Sequence, residues 1–241
     1  MKNIDHVKRE LVIANRILAH EGVMDAYGHV SMRNPLNPDR FLLSRSCSPG
    51  LVDAEDILEF DLDGRPSGID DGPLYIERFI HAAIYAARED VSVIAHSHAT
   101  DVLPYTVTNT PLRPLIHSAG VIGHELPCWD IHDRFGETNM LVVDMDQGRD
   151  LAERLGPNKV VLMRGHGFSA VARSLVEVIR ICIYLRVNAA VLGKALALGD
   201  VTYLTTGEID RIGAIDPSAP EVQRAWRYWA ARAGCDGMLA E

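Results

Sequence analysis

VSVIAHSH, residues 91–98, is an apolar run that closes on a His-x-His pair. An apolar run of this length is typical of a buried β-strand. Alternate side chains of a strand point to the same face, so we expect the imidazoles of His96 and His98 to face the same way where the strand ends. Two neutral imidazoles that converge suit a divalent metal ion. The stretch therefore predicts a strand with a metal site at its end.

A second segment supplies a third imidazole. His166 lies between two glycines in RGHG, residues 164–167, directly after the apolar run VVLM at residues 160–163. Three imidazoles leave at least one coordination position open, which is the arrangement of a catalytic rather than a structural metal site. The alternative is that His96 and His98 are ordinary surface or core histidines. The strand-end position and the Gly-His-Gly segment favour the metal site.

The composition argues against several classes of protein. The chain has 241 residues, enough to bury a sizeable core in one α/β domain. Its 24 Lys and Arg residues are scattered and outnumbered by 33 Asp and Glu residues, which argues against a nucleic-acid or anionic-membrane surface. The four cysteines lie far apart, and we find neither a signal peptide nor an apolar stretch long enough to cross a membrane. We expect a soluble, cytoplasmic protein.

Apolar periodicity predicts alternating helices and strands within one domain spanning residues 1–241. Helices are expected at about residues 5–21, 74–87, 99–107, 147–155, 174–198 and 221–233. Strands are expected at about residues 27–33, 40–44, 57–61, 91–96, 140–143 and 159–163. DDGP at residues 70–73 is a helix-start signal. A C-terminal helix within about 217–233 carries Trp226 and Trp229, which cover either a partner subunit or pocket, or the protein's own sheet.

A carboxylate, Glu77, lies one predicted helix upstream of the His-x-His pair. The connection is short, so this helix is expected to pack against the strand and to place Glu77 near the ion. There the carboxylate can ligate the metal or act as an acid or base. The alternative is an exposed helix glutamate that pairs with Arg78 or His81. The metal motif favours the functional interpretation.

Further polar side chains occupy the predicted strands and their ends: His29, Ser31, Ser44 and Arg45. Hydroxyls, an imidazole and a guanidinium in such positions suit the binding of a phosphate or a carboxylate. Each of them alone is weak evidence, because surface arginines are common. His117 is another polar group in an apolar loop, where a structural histidine is at least as well supported as a functional one.

Four motifs, in this order, resemble those of the class II aldolase/adducin family: GHVSMR at residues 28–33, YIERFIH at 75–81, HSH at 96–98 and RGHG at 164–167. The resemblance covers the chain from residue 5 to about residue 200. It implies an α/β fold, a three-layer α/β/α sandwich with a central, largely antiparallel sheet. It also implies assembly into a homotetramer or a larger homo-oligomer with active sites at subunit boundaries.

The same resemblance implies roles for individual residues. His96, His98 and His166 would be the ligands of a divalent cation, and Glu77 would be the catalytic acid/base. His117 would reach the site from a neighbouring subunit and take part in catalysis there. Zn, Mn, Fe and Co all suit imidazole ligands with an optional carboxylate, so the ligand types do not choose among these metals.

The chain departs from the sugar-phosphate aldolases of this family where those enzymes hold phosphate. His29 replaces the asparagine of a Gly-Asn-x-Ser motif, and SRS at residues 44–46 stands in place of a Ser/Gly-rich loop. YIERFIH at residues 75–81 and LRPLIHSAG at residues 112–120 are more similar to the decarboxylase branch. Enzymes of that branch act on hydroxy-aromatic dicarboxylates, such as 3,4-dihydroxyphthalate or a hydroxy-methylpyridine dicarboxylate.

These observations favour a metal-dependent decarboxylase, a carbon–carbon lyase acting on a small aromatic acid. Arg45, with Ser44 and His29, is expected to hold a second carboxylate of the substrate. The alternative is a class II aldolase or epimerase acting on a sugar phosphate or a hydroxy-oxo acid. A third reading is a non-catalytic assembly module like the head domain of adducin, against which the intact histidine set and Glu77 argue.

Overall fold

The computed structural model describes residues 3–68 and 72–239, so Asp70 and Asp71 of the predicted helix-start signal lie outside the described residues. Its α-helices are α1 (Ile4–His20), α2 (Arg78–Ala87), α3 (His132–Phe135), α4 (Met145–Leu155), α5 (Leu175–Leu198), α6 (Thr206–Gly213) and α7 (Pro220–Arg232). Its strands are β1 (His29–Arg33), β2 (Arg40–Ser44), β3 (Ile57–Asp61), β4 (Val93–Ser97), β5 (Cys128–Trp129), β6 (Val160–Met163) and β7 (Gly167–Ala172).

The seven strands form one mixed sheet in the order β3-β2-β1-β4-β7-β6-β5. Neighbouring strands are antiparallel except β5 and β6, which run parallel. One apolar core packs α1, α5 and α7 against one face of the sheet, and a second core packs α2 and α4 against the other. The chain therefore has the predicted three-layer α/β/α architecture with a largely antiparallel sheet.

The central strand β4 is buried on both faces, which explains its continuous apolar run. Val93 and Ala95 join the core that contains α1 and α5, whereas Ile94 joins the core that contains α2 and α4. Successive side chains alternate between the faces, so His96 lies on the same side as Ile94. The first histidine of the pair is thus directed towards the layer that contains α2.

The second predicted helix begins later than its periodicity indicates. The pattern predicts helix from residue 74, but α2 begins at Arg78 and Glu77 occupies the N-cap position. The preceding segment is tied to a neighbouring loop, because the Tyr75 hydroxyl donates a hydrogen bond to the Cys47 carbonyl. As a consequence, Glu77 lies at the start of α2 instead of on its surface.

The prediction of a strand at residues 140–143 is wrong. Met140 has a left-handed backbone conformation, with a φ of 68°. The N–H of Val142 donates to the Glu77 carboxylate at 3.1 Å. A strand needs its N–H groups for the hydrogen-bond ladder, so this segment is a loop that contributes to the site.

Strand β7 and helices α3 and α6 have no counterpart in the sequence prediction. The sequence of β7, GFSAVA, is rich in small residues and lacks clear alternation. Helix α6 has only eight residues and begins with a capping box between Thr205 and Glu208. The predicted helix at residues 99–107 is reduced to a single 3-10 turn at Leu103–Thr106.

The predicted C-terminal helix corresponds to α7. Trp226 and Trp229 are 7% and 6% exposed, and both belong to the core that contains α1 and α5. Both side chains are therefore buried within their own chain, and Trp226 also lines a small cavity beside α1, whereas contact of this helix with a partner subunit stays a prediction. Within the described residues, no helix combines the length and apolar character that spanning a membrane requires.

Candidate metal centre

Four side chains meet at the end of β4. Glu77, His96, His98 and His166 each offer one ligand atom, and these atoms lie within 4.8 Å of one another. His96 belongs to β4, His98 follows that strand, His166 lies in the turn between β6 and β7, and Glu77 precedes α2. These segments meet because β7 pairs with β4 and α2 covers the same face of the sheet. The structure thus brings together the three predicted imidazoles and the predicted carboxylate.

The distances are those of donor atoms arranged around one point. Nε2 of His98 lies 3.0 Å from Nε2 of His96 and 3.1 Å from Nε2 of His166. Oε2 of Glu77 lies 3.5 Å from Nε2 of both His96 and His166. Ligands bonded to zinc at about 2.0–2.1 Å in a tetrahedron lie about 3.3 Å apart. The donor set therefore fits a single divalent ion.

Two of the rings are oriented through their other nitrogen. Nδ1 of His96 lies 3.2 Å from the Ser169 hydroxyl. Nδ1 of His166 donates to the Met140 carbonyl at 3.0 Å. A donor at Nδ1 leaves the lone pair on Nε2, which is the tautomer that a metal ligand needs. The left-handed conformation of Met140 aims this carbonyl at the ring.

The glycines on both sides of His166 are required by the local geometry. Gly165 has a φ of 63°, which disfavours a side chain. A Cβ at Gly167 would lie 2.1 Å from the Ser97 carbonyl oxygen, so only glycine allows β7 to start this close to β4. The RGHG motif is therefore a tight turn that presents an imidazole to the end of a neighbouring strand.

Glu77 is 8% exposed. Burial raises the pKa of its carboxyl group, but the neighbouring imidazoles of His96 and His166 outweigh burial and hold the pKa below its usual range. The alternative of an exposed glutamate paired with Arg78 or His81 is not what the structure shows. Instead, the Arg78 side chain donates to backbone carbonyls.

A cavity of about 670 Å³ adjoins this centre. Glu77, His98 and His29 supply polar groups to its lining, and Tyr27 and Tyr75 supply aromatic walls. Cavities of a few hundred Å³ with mostly apolar walls and a few polar groups are typical of small-molecule sites. The donor set is therefore accessible from a space that a small aromatic acid can fill.

The residues predicted to bind an anion are divided between the cavity and its surroundings. His29 lines the cavity. Ser31 and Ser44 are fully buried. Arg45 forms an ion pair with Asp56, with 3.3 Å between Nε and Oδ1, and is not among the described residues that line the cavity.

His117 is exposed at the start of the 3-10 helix His117–Ile122. It does not line the cavity within the described residues of this chain. Its predicted contribution to a neighbouring subunit's site concerns a second copy of the chain and stays a prediction.

A second pair of histidines lies behind the cavity. Nδ1 of His29 is 2.6 Å from Nε2 of His81. Burial, followed by the charges of His81 and His96, lowers the pKa of His29 well below its usual value. Burial, followed by the charge of His96, lowers the pKa of His81 to about 3. Both imidazoles are therefore neutral near pH 7.

Sequence reasoning missed the partners that orient His96 and His166, and the carboxylate near His98. Ser169 is the register partner of His96 across β4 and β7, so only knowledge of that strand pairing would find it. Met140 contributes a carbonyl, which every residue possesses. Asp25, whose carboxylate lies 4.0 Å from Nδ1 of His98, precedes β1 outside any motif. None of these residues carries a local signal in the sequence.

Comparisons with known proteins give the chain relatives over most of its length. Residues 9–192 match the family model of the Class II Aldolase and Adducin N-terminal domain. The decarboxylase tropJ of Talaromyces stipitatus is 35% identical over 95% of each chain. The 3,4-dihydroxyphthalate decarboxylase of Arthrobacter keyseri is 26% identical over 93% of each chain.

The fold also matches a solved structure. The crystal structure of an aldolase II superfamily protein from Pseudomonas syringae is similar with a TM-score of 0.80 and 21% identity. The match covers 97% of this chain and 94% of that one. At this identity the likeness establishes the fold alone.

Proposed function

We propose that this chain, which belongs to the class II aldolase/adducin family, is a metal-dependent decarboxylase acting on a hydroxy-aromatic dicarboxylate such as 3,4-dihydroxyphthalate. The observation that carries the proposal is the convergence of one carboxylate and three imidazoles beside a cavity with aromatic walls. Relatives named as decarboxylases support loss of carbon dioxide over aldol cleavage.

The metal would be held by His96, His98 and His166, at Nε2 of each ring, and Oε2 of Glu77 lies 3.5 Å from the nitrogens of His96 and His166. When bound, a divalent ion supplies a Lewis acid that stabilises the negative charge developing as the carbon–carbon bond breaks. Of the three imidazoles, His98 is the one that also lines the cavity, so a substrate in the cavity lies against the donor set.

Decarboxylation replaces a carboxyl group by a proton, so the site has to deliver a proton to the ring carbon. Glu77 lines the cavity, and its Oε1 is already held by the N–H of Val142. We assign proton delivery to Oε2. The carboxylate is ionised at rest, so it passes a proton from water to the ring carbon, and the hydroxide that remains combines with the released carbon dioxide as bicarbonate.

The second carboxylate of the substrate requires a cation. We propose Arg45, with Ser44, for this contact, because Ser46 immediately after them lines the cavity. Arg45 would exchange its ion pair with Asp56 for the substrate carboxylate. We also propose that the protein is a homotetramer or larger and that His117 acts in the site of a neighbouring subunit.

The experiment is to incubate the manganese- or zinc-loaded protein with 3,4-dihydroxyphthalate and to measure released carbon dioxide and the monocarboxylate product. Carbon dioxide and the product in equal amounts would support the proposal. Aldehyde formation from L-fuculose 1-phosphate, with no carbon dioxide from aromatic diacids, would contradict the proposal and indicate an aldolase. A chain that binds no divalent ion and shows neither activity would point to an assembly module.

A further inference from the structure

A chain of buried hydrogen bonds runs from the cavity into the core. Nδ1 of His29 lies 2.6 Å from Nε2 of His81, and Nδ1 of His81 lies 2.6 Å from the Ser31 hydroxyl. The Ser31 hydroxyl lies 2.9 Å from the Tyr85 hydroxyl, which in turn donates to the Ser92 carbonyl at 3.4 Å. The four side chains are at most 2% exposed. The chain therefore connects a cavity-lining imidazole to a fixed backbone acceptor.

The backbone end of the chain sets its direction. The Tyr85 hydroxyl donates to the Ser92 carbonyl, which also accepts from the Arg33 N–H at 2.7 Å, and with its proton placed there the Tyr85 oxygen accepts from Ser31. The Ser31 oxygen then accepts from Nδ1–H of His81, and Nε2 of His81 accepts from Nδ1–H of His29. Two N–H groups cannot face each other at 2.6 Å, so one of the two facing nitrogens has to carry a lone pair. With this order of donors, Nδ1 of His29 carries a proton.

We infer that His29 presents an unprotonated Nε2 to the cavity and accepts a hydrogen bond from the ring hydroxyl of the substrate. His81, Ser31 and Tyr85 are positioning residues that fix this tautomer. An ionised carboxylate has no proton to donate, so His29 recognises the hydroxyl instead of the carboxylate that the sequence suggested for it. The substrate class rests on the proposed function.

The surroundings of His29 fit this role. Its ring centroid lies 4.4 Å from that of Tyr75, an aromatic wall of the cavity, and 5.2 Å from that of His96. A substrate ring that stacks in this cavity therefore brings its hydroxyl to His29 beside the donor set. The rings of Phe41 and His81 are stacked at 6.4 Å, which shields the hydrogen-bond chain from water.

The first test reads the tautomer without any turnover. The zinc-loaded protein, labelled with 15N in its histidines, is compared by NMR with the same preparation of Tyr85→Phe. We expect a protonated Nδ1 and a lone-pair-bearing Nε2 for His29, with the resonances assigned from their loss in His29→Gln. In Tyr85→Phe the tautomer should become mixed, because the oxygen that accepts the Ser31 proton is gone. A proton on Nε2 of His29 in the unaltered protein would overturn the inference.

Tyr105→Phe is the matched control. Tyr105 is also buried, at 7% exposure, and its hydroxyl also donates to a backbone carbonyl, that of Ala189 at 2.8 Å, but it lies outside the chain. This variant should leave the His29 signals unchanged. If Tyr85→Phe fails to fold, Ser31→Ala breaks the same chain one step nearer to His29 and should produce the same mixture. Unchanged His29 signals in a folded variant of either kind would contradict the inference.

The second test measures recognition of a hydroxyl with two probes, salicylate and 2-methoxybenzoate. The ratio of their affinities for the zinc-loaded protein should fall about fivefold in Tyr85→Phe, the value of one ordinary hydrogen bond. It should stay unchanged in Tyr105→Phe. An equal ratio in all three proteins would overturn the inference.

The two proposals can fail separately. Neither the tautomer nor the binding ratio depends on turnover. A protein that passes both tests but releases no carbon dioxide from any aromatic diacid contradicts the proposed function alone. A protein that decarboxylates the diacid but fails the two tests contradicts the role of His29 alone.

Discussion

The two histidine clusters of this protein differ in how their nitrogens are used. In the metal centre, Nε2 of His98 lies 3.0 and 3.1 Å from Nε2 of His96 and His166, and Nδ1 of His96 and Nδ1 of His166 bond to Ser169 and Met140. In the buried pair, Nδ1 of His29 faces Nε2 of His81 and the hydrogen bonds continue into the core. The first cluster leaves converging lone pairs that suit a cation. In the second cluster, the facing nitrogens are hydrogen-bonded to each other. Hydrogen-bond accounting, and not the number of histidines, separates a metal site from a structural pair.

The largest effect that this contrast predicts is loss of the ion from the first cluster. His98→Ala removes the imidazole that bridges the other two, so metal content should fall from one ion per chain to background and activity should vanish. Atomic spectroscopy of the dialysed protein measures the content. His132→Ala, which alters an exposed histidine of α3, is the control and should keep the ion. An unchanged metal content in His98→Ala would contradict the assignment of the first cluster as the metal site.

Glu77→Gln separates binding of the ion from proton delivery. The amide keeps the shape and the three imidazoles remain, so metal content should stay near that of the unaltered protein. Removing a proton-transfer group lowers turnover by about 10²- to 10⁴-fold. Steady-state release of carbon dioxide measures the rate. Near-normal turnover in this variant would remove Glu77 from the acid/base role.

Arg45→Ala tests the proposed contact with the second carboxylate. Loss of a charge-assisted pair should raise KM about tenfold or more while kcat changes less. The control is Arg40→Ala. Arg40 lies at the start of β2, and this variant removes a guanidinium that pairs with Glu59 of β3. A KM equal to that of the unaltered protein would exclude Arg45 from the contact.

The smallest effect belongs to the second cluster. His81→Phe leaves Nδ1 of His29 without its partner and removes one of the two partners of the Ser31 hydroxyl, which should lower the free energy of unfolding by about 1–3 kcal/mol. Because His81 lies outside the converging donor set, the metal content should remain one ion per chain. Chemical denaturation and metal analysis on one preparation measure both. Loss of the ion in a folded His81→Phe protein would show that the clusters are one unit.

Much of the fold could be predicted because its signals are local. The run VSVIAHSH is buried on both faces of the central sheet, and the long helix α5 follows the predicted residues 174–198 to within one residue. The strand β7 was not predicted because its small residues, GFSAVA, suit close packing against β4. That packing depends on the pairing of the two strands and not on the sequence of β7 alone. The loop around Met140 was not predicted because the N–H groups of residues 140–143 bond to side chains instead of to a neighbouring strand, and one of these side chains, Glu77, is 65 residues away in the sequence.

The same distinction applies to the site. The imidazoles and Glu77 could be predicted because short motifs carry them. The Tyr85 end of the buried hydrogen-bond chain could not, since Ser31 and Tyr85 are 54 residues apart and meet only when α2 packs on β1. Arg45 is the opposite case. Its residue type suggested an anion-binding role, but in the structure its guanidinium forms an ion pair with Asp56.

The most direct test is a crystal structure of the protein soaked in manganese or zinc, with anomalous maps. We predict one peak within about 2.0–2.3 Å of Nε2 of His96, His98 and His166, and no peak between His29 and His81. A map with those three rings turned apart and no peak among them, or with the ion at the buried pair, would contradict the account.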